Sequence, residues 1–89
     1  METAAKLYIH TFNYVFSQGE GSGDDAQWDL AYEEAQAVVN ANGFDYSEIE
    51  EAIEDLRDGE LADYENQVYQ MYLKSEDAEA LYINEIQNC

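Results

Sequence analysis

The segment 47-SEIEEAIEDLRDGE-60 holds seven Asp or Glu among fourteen residues, opposed by Arg57 alone. Carboxylates can move protons, hold cations or present charge. Acid–base work of the glycosidase kind needs two carboxylates at a set separation. With 21 acidic residues in the chain, some pair always meets that spacing, so spacing selects nothing. A chain of 89 residues also leaves little length to build a substrate cleft, and no enzyme activity is expected. A calcium loop of the EF-hand type needs oxygen ligands at its first, third and fifth positions, Gly at the sixth and Glu at the twelfth. With Gly59 sixth, Glu54, Asp58 and Glu65 fall at the first, fifth and twelfth positions, but Leu56 occupies the third and breaks the set. Asp55, Asp58, Glu60 and Asp63 remain as a loose cation cluster. His10 is the only histidine and Cys89 the only cysteine, so no zinc set exists. His10 reads as a strand residue, and Cys89 as incidental. The stretch 19-GEGSG-23 has no following Lys, and Glu20, Asp24 and Asp25 would repel a phosphate. No cofactor and no metal is expected.

Presentation of charge is the remaining use. The formal net charge is −18, with three basic residues. Self-repulsion at this density opposes the compact state, and a few charges suffice to keep a small domain soluble. The charge is also local. Residues 23–66 carry fifteen acids against Arg57, whereas residues 1–22 carry Glu2, Glu20 and Lys6. Residues 67–89 carry four acids and Lys74. The middle of the chain is therefore the charged device, with the ends as scaffold. On a helix, Glu48, Glu51, Asp55 and Asp58 fall on one outer face, with Glu54 beside the apolar stripe. Neighbours three and four apart lie roughly 5–6 Å from one another. Adjacent phosphates on a nucleic-acid strand are spaced similarly, at roughly 6–7 Å. Such a helix offers a basic groove a row of charges shaped like a phosphate strand. Asp24, Asp25, Asp29, Glu33 and Glu34 supply a second row on the preceding helix.

The elements that position these rows follow from periodicity. Residues 24–43, DDAQWDLAYEEAQAVVNANG, repeat Trp28, Ala31, Ala35, Val38 and Val39 at helical spacing. Ser22 or Asp24 caps the start, and Gly43 ends the helix. The next helix begins at Asp45 as N-cap with Glu48 three residues on, a capping box, and Phe44 and Ile49 form a hydrophobic staple. Ile49, Ala52, Ile53 and Leu56 make its buried stripe, and Gly59 stops it. The segment 6-KLYIHTFNYVF-16 is rich in aromatic and β-branched residues and reads as a strand. A strand needs partners for its backbone groups, so the last third reads as a hairpin of QVYQMYLK and ALYINEI around SEDAE. The predicted fold is α+β, one domain over residues 1–89 ordered β-α-α-β-β, with a small antiparallel sheet under two acidic helices. A helical last third is the alternative. Trp28 and the eight tyrosines are expected in the core or half-buried on the sheet, some of them as contact anchors.

The chain resembles, as a class, the small DNA-mimic inhibitors of phages and mobile elements: anti-CRISPR, anti-restriction and uracil-glycosylase-inhibitor proteins. The resemblance rests on a short single domain, dense Asp and Glu on helices such as 47-SEIEEAIEDLRD-58, and few basic residues. It is compositional and carries no family motif. It implies stoichiometric occupation of the nucleic-acid channel of a Cas effector, a restriction enzyme or a repair enzyme, in the host bacterial cytosol. Three other readings stand beside it. One is a protein-binding regulator that docks through Tyr and Trp without mimicry. Another is adaptation to high salt, and the last is an acidic domain with no specific role.

The composition also bounds the setting. A single cysteine rules out a disulfide framework within the chain and fits a reducing compartment. METAAKLYIHTF lacks the basic start and apolar run of a signal peptide, and no apolar run approaches a membrane span. A cytoplasmic protein is expected, repelled by anionic membranes and binding no nucleic acid directly. An exposed strand edge or apolar sheet face would support a homodimer.

Overall fold

The computed structural model describes residues 2–19 and 25–87, without the side chains of Glu2 and Asp25. Among these residues it contains α1 (Glu2–Ser17), α2 (Asp25–Ala41), α3 (Tyr46–Asp58), α4 (Ala62–Lys74) and α5 (Ala78–Gln87), and no strand. The expected β-α-α-β-β fold is thereby overturned: the described residues form no antiparallel sheet, so they have neither the strand edge nor the sheet face expected for a dimer.

Residues 6–16 are the interior of α1, and the reason is burial on nearly all sides. Ala4, Ala5, Leu7, Tyr8, Ile9 and Phe12 are buried together with the polar His10, Thr11, Asn13 and Ser17. A helix surrounded by protein shows no polar face in its sequence, so its aromatic and β-branched content resembles a covered strand. Residues 4, 5, 8, 9 and 12 nevertheless recur at helical spacing. α1 packs mainly on α2, then on α4 and α5, while α3 closes against α2 and α4. The last third is two helices, the alternative reading. Tyr64, Val68, Met71 and Tyr72 turn one α4 stripe toward the core.

A central helix with polar residues needs partners for them, because an unpaired buried polar group costs free energy. The tyrosines of α4 and α5 supply these. His10 Nδ1 lies 2.7 Å from the Tyr72 hydroxyl and Nε2 lies 2.6 Å from that of Tyr64. Neutral imidazole fits this arrangement, since one nitrogen donates and the other accepts. Thr11 Oγ1 and the Tyr82 hydroxyl are 2.7 Å apart, and Asn13 Nδ2 donates to the Ile9 carbonyl and to Glu65. His10, expected on a strand, is thus a buried helix residue that ties α1 to α4.

Burial lowers the His10 pKa below its usual 6.5, Glu85 opposing the shift and Lys6 adding to it. The unfolded chain therefore takes up the proton first as pH falls. His10 contributes stability at neutral pH that is lost on acidification through the window below 6.5. An NMR titration of the His10 ring should show a midpoint below that value; a midpoint at or above it contradicts the buried, neutral assignment.

Candidate functional site: the acidic helical hairpin

α2 and α3 run antiparallel. The turn between them starts at Asn42 and continues through Gly43, whose φ of 90° suits the absence of a side chain. Asn40 Oδ1 accepts from the Tyr46 N–H at 3.0 Å across the turn. Further along, the Tyr32 hydroxyl donates to Glu50 Oε1 at 3.3 Å. At the far end, Trp28 shares a cleft with Glu54 and Asp58. α3 begins at the expected N-cap. The Asp45 carboxylate takes the N–H of Ser47 at 3.1 Å and its hydroxyl at 2.7 Å, rather than the N–H of Glu48. Phe44, Ile49 and Leu56 pack against the core and Ile53 is fully buried. Gly59 caps the C-terminus.

This register decides where the carboxylates go. Glu48, Glu51, Asp55 and Asp58 are exposed and lie opposite the Ile53 stripe. Glu50 and Glu54 occupy the α3 flank that meets α2. On α2, Ala31, Ala35 and Val39 face the core. Asp29 and Glu33 are exposed, and helical spacing puts Glu33 nearly opposite the core stripe, with Asp29 between it and Trp28. Glu34 does not join them: it lines a shallow groove with Tyr14, Val15 and Leu30 on the opposite flank of α2. Asp24 and the possible cap Ser22 lie outside the described residues, as do residues 20–23 of the glycine-rich stretch and Cys89. Asp25 opens α2, and its side chain is not described.

Among the described residues, no ion pair engages Glu48, Glu51, Glu54, Asp55 or Asp58. Glu50–Glu54, Glu51–Asp55 and Glu54–Asp58 are like-charge neighbours four apart, each costing roughly 0.2–0.5 kcal/mol. Asp55 and Asp58 also stand at the negative end of the α3 dipole. Screening should relieve both costs. Raising NaCl from about 20 mM to about 0.5 M should lift the melting temperature by a few degrees. A flat or falling value would contradict an uncompensated surface.

Arg57 is a cation with a structural duty, one the sequence does not mark. Its Nε and Nη2 donate to Glu65 Oε1 and Oε2 at 3.0 and 2.6 Å. Its guanidinium stands over Phe12 and Tyr8, 5.0 and 5.5 Å from the ring centroids. Burial works against its charge, but Glu65, with help from Tyr8, raises its pKa above the ordinary value. The charge is thereby spent inside the fold and does not neutralise the outer face. Glu65, set as the last ligand of the calcium loop, is held by Arg57 and Asn13. Among the described residues no three His, Cys, Asp or Glu converge to hold a metal ion.

Trp28, expected in the core or half-buried with some aromatics as contact anchors, is 44% exposed on a helix and not on a sheet. Its spacing matches Ala31 and Ala35, and its ring meets Phe12 and Tyr32 while one side stays open to solvent. No helix of the described residues is long and apolar enough to cross a membrane. No protein-family model matches the chain, and the curated proteins and solved structures offer no match to it.

Proposed function

We propose that this chain is an acidic nucleic-acid mimic that occupies the basic nucleic-acid-binding groove of a partner protein and inhibits it. The observation that supports this reading is the outer face of α3. Four exposed carboxylates stand there at helical neighbour spacing, without basic partners among the described residues. Two of them stand at the negative end of the helix dipole, and Asp29 and Glu33 are exposed on the neighbouring α2. A face that costs the fold stability and serves no internal contact suits recognition by a groove of Lys and Arg. A defence enzyme of a bacterial host, such as a Cas effector or a restriction enzyme, is the proposed target, and the cytoplasm the proposed compartment. No catalytic step is assigned.

Capture of partners from bacterial lysate by tagged protein tests the proposal. A nucleic-acid-binding protein retained at low salt, shed at high salt and displaced by duplex DNA is the expected catch. A partner that survives high salt and ignores DNA would overturn mimicry in favour of a docking regulator, the reading that the exposure of Trp28 favours. Capture of nothing at either salt would also overturn it.

A further inference from the structure

We infer that the cleft where the start of α2 meets the end of α3 is a receptor for an arginine side chain of the basic partner. This inference rests on the proposed acidic recognition face and adds a specific anchor to it. The cleft is about 490 Å³ and is lined by Trp28, Glu54, Arg57, Asp58 and Glu65. It adjoins a second depression of about 370 Å³ that shares Trp28, Arg57 and Glu65 and adds Phe16 and Tyr69.

The Trp28 ring is held on two sides. It meets Phe12 edge-on at 5.7 Å and stacks on Tyr32 at 5.3 Å with 30° between the planes. An aromatic side chain fixed this way and still 44% exposed is a preorganised contact surface, because little rotamer freedom is lost on binding. Glu54 and Asp58 stand beside it, exposed. The one cation in the cleft, Arg57, is matched by the bidentate Glu65, so the unmatched charge is that of Glu54 and Asp58.

A ligand for this place must be cationic and must offer a flat face to indole. A guanidinium does both: it stacks on Trp and presents a planar fork to a carboxylate. An ammonium is a compact point charge and gains less from the ring. A nucleobase would stack, but its phosphates would meet the two carboxylates. Arg57 over Phe12 and Tyr8, paired to Glu65, shows the same guanidinium–aromatic–carboxylate combination one layer deeper.

The chain has one tryptophan, so its emission reports on this cleft. The full chain would be titrated with a nine-residue arginine peptide and a nine-residue lysine peptide of equal charge, followed by Trp28 emission and by anisotropy of the labelled peptides. The arginine peptide should shift the emission and bind roughly three- to fivefold tighter than the lysine peptide. The Glu54→Gln, Asp58→Asn double variant should lose that preference. A Glu76→Gln, Glu79→Gln variant, with the same charge change at the start of α5, should keep it. Equal affinities with unaltered emission would overturn the arginine cleft while the acidic face still binds cations. Failure of both peptides to bind would overturn the cleft and the recognition face together.

Discussion

Changing Glu51, Asp55 and Asp58 together to Lys should abolish capture of the basic partner while the helical bundle stays folded. The substitutions move the net charge from −18 to −12, and they do so on one exposed face that contributes no side chain to the core. A partner groove tuned to a phosphate-like row would then meet repulsion along the middle of its contact. The loss should be at least about a hundredfold in affinity, since like charges brought together at an interface cost several kcal/mol. Stability should move the other way. Glu48–Glu51, Glu51–Glu54 and Glu54–Asp58 become opposite-charge pairs, positions 51, 55 and 58 keep like-charge contacts among themselves, and the last turn of α3 gains cations at its negative end. A gain of about 1 kcal/mol is expected. Capture and thermal melting are both needed, because only retained folding makes lost binding informative. A folded triple variant that still captures the partner would exclude the outer face of α3.

Arg57→Ala should have the largest effect on stability of any surface-reaching substitution, about 2–4 kcal/mol by chemical denaturation. Arg57 and Glu65 keep only 22% and 20% of their side-chain surface exposed. Removing one partner of such a pair leaves the other desolvated and uncompensated. Glu65 would retain Asn13 as donor, inside a chain that is already strongly negative. Phe12 and Tyr8 would also lose the cation above their rings. The cost is large beside the total stability of a small domain, on the order of 5–10 kcal/mol. Replacing both residues, Arg57→Met with Glu65→Leu, should recover most of the loss, since an apolar pair leaves no charge buried alone. A loss under about 0.5 kcal/mol for the single variant would show that the pair is solvated and structurally idle.

The acidic hairpin was legible because surface helices write their geometry into the sequence. In α3, Ile49, Ile53 and Leu56 alternate with carboxylates at helical spacing, Asp45 is a cap and Gly59 a stop, and all of these hold in the structure. α1 was not legible as a helix, because its surroundings remove the polar face on which an amphipathic reading depends. Starting the segment at Lys6 also hid Ala4 and Ala5, the first turn of its buried stripe. The hairpin then followed from the strand, as a partner for backbone groups that α1 satisfies internally. α4 contradicts it on its own evidence of spacing, with Tyr64, Val68, Met71 and Tyr72 on one side. At the site, the sequence grouped Glu34 with Asp29 and Glu33 in one row. Only the packing of α2 against α1 puts Glu34 in a separate groove. The Arg57–Glu65 pair spans the turn after α3, and eight residues of separation carry no periodic signal.

The most direct measurement is a competition. A fluorescently labelled duplex would be bound to the captured partner, and this chain added at several salt concentrations while anisotropy is followed. Release of the duplex at one chain per partner site, weakening steeply as salt rises, is the predicted result. A ternary complex, in which the partner holds the duplex and this chain at once, would contradict mimicry.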